Sequence, residues 1–114
     1  MPRDNRLYLD DILESIGRIK EYVQDMEESD FGEDLKTQDA VIRNLEIIGE
    51  AAGKLADSLK SKAEEIEWRK IIGLRNILIH EYFGVNLQRV WKAVKEDVAD
   101  LADKLAKARK ECTD

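Results

Sequence analysis

The sequence predicts an all-α protein, an antiparallel bundle of four to five amphipathic helices in a single domain spanning residues 1–114. Two observations carry this expectation. Apolar residues recur at alternating spacings of three and four through most of the chain, the period of a helix buried on one face. With 43% hydrophobic and 39% charged residues but only six Gly and one Pro among 114, the chain has apolar material for a core and lacks the turn residues a many-stranded fold needs. Its length suits one compact module and not a pair of domains.

The first helix is expected to begin near Asp4 or Asn5, because Leu9, Ile12, Ile16, Ile19, Val23 and Met26 fall on one face. The acidic, turn-forming stretch Glu27-Glu28-Ser29-Asp30-Phe31-Gly32 reads as a break. A second helix is expected from about Asp34 to about Lys60, with Val41, Leu45, Ile48, Ala52, Leu55 and Leu59 on its apolar face. Gly49 and Gly53 lie four apart on it and each costs about 1 kcal/mol relative to Ala, so a packing role is expected for both. Polar residues 61–67 lead into a third helix, Trp68 to Phe83, that Gly84 should end. Asn86 fits the N-cap of a fourth, whose face reads Leu87, Val90 or Trp91, Val94, Val98, Leu101 and Leu105.

Composition narrows the function. The net charge of −6 disfavours a protein that coats nucleic acid nonspecifically. That average hides an asymmetry: residues 1–67 carry a net −9, whereas residues 68–92 hold Arg69, Lys70, Arg75, Arg89 and Lys92 against Glu81 alone. An anionic ligand would be drawn to that segment. No apolar run approaches the roughly 20 residues of a membrane span and the N-terminus is too polar for a secretory signal, so a cytoplasmic location is expected. The single cysteine, Cys112, reads as a bystander. One His and one Cys give no zinc set, and neither a Ser-His-Asp order nor a Gly-rich phosphate loop is present. Neither a metal nor another cofactor is expected.

Arg75 stands out. Ile71, Ile72, Leu78, Ile79 and Tyr82 share its face of the third helix, and a guanidinium is costly to bury alone. It must pair with a carboxylate, for which Glu46 and Glu50 are candidates, face a second subunit, or line a cleft that receives an anion. His80, the only histidine, follows five residues later. On a regular helix five steps separate the two positions by about 140°. They meet if the helix loosens before His80, or if two third helices pack together in a dimer. Arg, His and the amide of Asn76 suit RNA cleavage by internal 2′-hydroxyl attack, in which the His moves protons and the cation steadies the phosphorane.

The stretch Arg75-Asn76-Ile77-Leu78-Ile79-His80-Glu81-Tyr82 resembles the R-x4-H-x-Y signature of HepT-like toxins in the HEPN superfamily. Asn44 to Ala52, Trp68 to Asn76, and Val90-Trp91 resemble the family's other characteristic stretches in the same order, so the likeness covers nearly the whole chain. Glu67 departs from it, standing where a Pro is expected before the Trp, and should alter only the start of the third helix. The resemblance implies a HEPN-like homodimer and a ribonuclease of a type VII toxin–antitoxin module. Arg75 and His80 would be catalytic and Asn76 supporting. It also implies a partner, an MntA-like nucleotidyltransferase antitoxin that transfers AMP from ATP to Tyr82, with a higher assembly of toxin and antitoxin as a further expectation. A second reading of the same basic cleft is a noncatalytic helical subunit that binds a nucleotide or the nucleotidyltransferase.

Overall fold

In the computed structural model the first helix, α1 (Asn5–Tyr22), opens where Asp4 accepts the backbone N–H of Arg6 at 2.8 Å. That carboxylate occupies the N-cap, satisfying a donor the first turn leaves free. The structure describes residues 4–112 apart from 81–85, and only the backbone of residues 76–80. Leu9, Ile12, Ile16 and Ile19 are buried as the spacing requires. Past Val23 the chain turns through Asp25, whose φ of 63° is a left-handed conformation that Asp tolerates better than most residues.

The expected break at 27–32 is instead a short helix, α2 (Glu28–Glu33). Asp30 accepts the Glu27 N–H at 2.9 Å, and Phe31, wholly buried, drives the turn into the core. Its ring lies 5.3 Å from that of Trp91. Its carbonyl accepts the side-chain amide of buried Gln38 at 2.9 Å. Asp34 then caps α3 (Leu35–Lys54), taking the Thr37 N–H at 3.0 Å and its hydroxyl at 2.7 Å.

The second long helix is shorter than its periodicity suggests. Leu55 and Ala56 are extended, with ψ of 145° and 143°, and a separate helix α4 (Asp57–Lys62) follows. The Ala56 N–H freed by this break donates to Asn5 Oδ1 at 3.1 Å, which ties the break to the start of α1. Leu55 remains buried across the interruption, which is why the apolar pattern runs on unbroken.

After α5 (Trp68–His80), Asn86 caps α6 (Leu87–Lys92), as expected, by accepting from Gln88 and Arg89 at 3.0 and 3.2 Å. The expected end at Gly84 lies outside the described residues. From α6 the chain continues directly through a π segment (Ala93–Val98) into α7 (Ala99–Glu111). Buried Val90, Val94 and Val98 are spaced four and four. In an α-helix each step of four advances about 40° round the axis, and the wider π turn takes that advance back.

The four long helical runs are those expected, with α2 and α4 added. α3 packs against both α1 and α5, α7 returns to α1, and α2 touches α3 and α6. Arg109 binds Asp10 at 2.7 Å, joining the far end of the chain to α1. One apolar cluster runs from Leu9 through Phe31, Leu45 and Ile71 to Leu105. Among the described residues no helix is long and apolar enough to cross a membrane.

Candidate functional site

The site is built on α5, and the start of that helix is firmly held. The Glu67 carbonyl accepts from the Lys70 and Ile71 amides at 3.1 and 3.2 Å, so the residue found in place of the expected Pro opens the helix. Trp68 donates its indole N–H to the Ala63 carbonyl at 3.1 Å. Lys70 reaches across to Asp97 of the π segment at 2.9 Å, and that bond pushes the Lys70 ammonium above its ordinary range. Ile71 faces inward at 7% exposure. These contacts fix the first turn before the chain reaches Arg75.

Arg75 is exposed. Its charge is therefore not buried within this chain, and of the three alternatives the pair with Glu46 or Glu50 is not found among the described residues. Among the described residues Arg75 makes no ion pair; Glu46 approaches Arg43 at 4.0 Å and Glu50 approaches Lys54 at 3.6 Å. The reason lies at the root of the side chain. α5 meets α3 at Gly49, and a Cβ there would stand 2.7 Å from the Arg75 Cβ, so the backbone of Arg75 is at the helix contact while its guanidinium reaches the surface. Gly53, expected to share this role, has nothing within 4 Å of where its Cβ would be.

The backbone of α5 is uninterrupted from Trp68 to His80, so the helix does not loosen between Arg75 and His80. The two positions thus lie on different faces of one helix. Asn76 and His80 belong to the segment whose backbone alone is described, and Tyr82 lies outside the described residues. Arg69, Arg89 and Lys92 are exposed with Arg75, so the excess of cations in 68–92 faces solvent. Lys70, neutralised by Asp97, contributes less to that field. Sequence reasoning found the Arg and missed its seat: Gly49 was visible as a packing glycine, but its partner was not.

The fold and the site define a class, an all-α bundle that presents an exposed guanidinium, with no ion pair among the described residues, five residues before the only histidine of the sequence. Comparison with known proteins defines that class further. The chain belongs to the HepT-like ribonuclease family, whose family model, described as "Ribonuclease HepT-like", matches residues 12–108. It is 46% identical over 110 residues to "Probable ribonuclease HepT" of Thermococcus cleftensis, covering 96% of this chain and 100% of that one. It is 44% identical over 96 residues to a "Putative RNase" of Methanocaldococcus jannaschii, covering 84% and 88% of the two chains. A longer M. jannaschii protein, "Gamma-glutamylcyclotransferase and putative RNase", is 43% identical over 111 residues, which are 97% of this chain and 50% of that one. No solved structure matches. The protein is thus an endoribonuclease of the HEPN type, with RNA as its substrate.

Proposed function

We propose that this ribonuclease is the metal-independent toxin of a type VII toxin–antitoxin module, acting in the cytoplasm and held inactive by AMP on Tyr82. The observation that carries the reading is Arg75: a guanidinium on the protein surface with no carboxylate partner among the described residues. Such a charge is free to receive a phosphate. The rest of the site is supplied by a second copy of the chain, with Arg75 and His80 of both subunits meeting in one cleft and Asn76 supporting them.

In that cleft one His80 imidazole takes the proton of a ribose 2′-hydroxyl as its oxygen attacks the adjoining phosphorus. The P–O5′ bond breaks as the second His80, protonated, delivers a proton to the leaving 5′-oxygen. Arg75 holds the charge that gathers on the phosphorane oxygens. The products are a 2′,3′-cyclic phosphate and a 5′-hydroxyl, and no water is consumed in the step. A partner nucleotidyltransferase of the MntA type joins AMP to the Tyr82 phenol, releasing pyrophosphate from ATP. The added phosphodiester places a negative charge seven residues beyond Arg75 in the sequence and competes with RNA for the cation.

The experiment is cleavage of RNA by the purified protein in excess chelator, with analysis of the ends, for the parent and His80→Ala. The parent should leave cyclic phosphates, and His80→Ala should lose on the order of 10²-fold or more. Exclusive 3′-hydroxyl ends, or an unimpaired His80→Ala protein, would refute the mechanism. Light scattering showing a monomer at micromolar concentration would remove the composite cleft. Incubation with the neighbouring nucleotidyltransferase and ATP should add AMP to Tyr82 and not to Tyr8 or Tyr22.

A further inference from the structure

The approach of α5 to α3 is closest at a point that matters for the chemistry. A Cβ built on Gly49 would lie 2.7 Å from the Arg75 Cβ, 3.2 Å from the Arg75 nitrogen and 3.3 Å from the Ile71 carbonyl oxygen. All three are backbone atoms or the first carbon of a side chain, so none can swing aside. Relief requires the helix itself to move, by roughly 1 Å to restore ordinary carbon–carbon contact at about 3.5–4.0 Å. The first turn of α5 resists that movement through the Trp68–Ala63 and Lys70–Asp97 bonds. Displacement would therefore fall on the later turns, which carry Arg75, Asn76 and His80.

We propose that Gly49 is a positioning residue for RNA cleavage: by having no side chain it seats the Arg75 turn directly on α3 and sets where the guanidinium leaves the surface. This rests on the reading of Arg75 as a catalytic cation. A displacement of about 1 Å at a catalytic group can cost 10²-fold in rate. Gly53 provides the matched control, because it is one turn further along the same helix with nothing within 4 Å.

The test compares Gly49→Ala, Gly53→Ala, the double variant and Arg75→Ala in RNA-cleavage kinetics alongside urea unfolding. Gly49→Ala should lower kcat on the order of 10²-fold with KM changed far less, since the cation is still present but displaced. Gly53→Ala should keep the parent kcat and raise the unfolding midpoint, because Ala favours helix over Gly. The double variant, stabilised at Gly53, keeps the measurement possible where Gly49→Ala alone folds poorly, and it should show the same loss in kcat. A folded Gly49→Ala or double variant within twofold of the parent kcat overturns the proposal, as does a loss that merely follows the unfolded fraction. Arg75→Ala separates the two levels: if it is inactive while Gly49→Ala is active, positioning alone is refuted. If Arg75→Ala cleaves like the parent, the catalytic reading of Arg75 falls and this proposal falls with it.

Discussion

Replacing Arg75 by Ala should separate activity from stability more cleanly than any other change in the site. The side chain is exposed and has no ion pair among the described residues, so its removal leaves no orphaned buried carboxylate. Arg and Ala differ by only a few tenths of a kcal/mol in helix propensity, in favour of Ala. Surface substitutions of this kind fall within about 0.5 kcal/mol of the parent. The Ala Cβ occupies the same place over Gly49 as the Arg Cβ, so the α3–α5 contact is undisturbed. Against this, losing a preorganised donor to a developing oxyanion costs about 10²–10³ in kcat, or about 2.7–4 kcal/mol. Cleavage of a fluorescent oligoribonucleotide gives kcat, and urea denaturation followed by circular dichroism gives stability on the same preparation. A drop in stability of 2 kcal/mol or more, a threshold about four times that surface limit, would mean that Arg75 is paired and buried after all. Full activity would mean that the cation is not part of the chemistry.

Three further outcomes follow from the packing. Phe31→Ala should destabilise the protein by about 3–5 kcal/mol in chemical denaturation, because the ring is fully buried and packs at a tilt against Trp91; a loss below about 1 kcal/mol would show that α2 is dispensable. Asn44 is 5% exposed and donates to the Ala40 carbonyl at 2.9 Å, but its own carbonyl oxygen has no partner among the described residues, so Asn44→Leu should raise stability by about 1 kcal/mol, and a clear loss would refute that accounting. The Thr37 amide and hydroxyl hold the Asp34 carboxyl below its ordinary value of 3.8, so the cap contributes fully above that value and is lost as pH falls through the lower folded one. Asp34→Ala should flatten this acid branch in urea midpoints measured against pH, and an unchanged branch would refute the assignment.

Periodicity was a good guide wherever a helix presents a full apolar face. Leu9 to Ile19 and Val41 to Ala52 are buried as their spacing requires. It failed where burial continues while the backbone changes. Leu55 is buried in an extended conformation between two helices, and neither Leu55 nor Ala56 is a residue that announces a break. Phe31 could not be anticipated because a six-residue helix with one aromatic has no repeat to detect. The spacings from Val90 to Ala108 average to the ordinary α-helical period, so nothing in them signalled the π segment. The seat of Arg75 was hidden for a different reason: a helical wheel assigns a face to a whole side chain, whereas here Gly49 takes the backbone into the contact and leaves the charge outside. The motif residues were legible as a string, but a string does not say how they are brought together.

The π segment also bears on which changes of length the rod from Leu87 to Glu111 can absorb. The segment Ala93–Val98 winds more widely than α turns and takes up one residue more than they would. Deleting one residue within it would let the run close as regular α-helix, leaving Leu101 and Leu105 directed at the same neighbours. The same deletion in the middle of α3 would rotate everything beyond it by about 100°, carrying Gly49 away from Arg75 or stranding the core residues behind it. The C-terminal rod therefore contains a place where the chain can lose a residue without losing alignment, and α3, which seats the helix of Arg75 and His80, contains none.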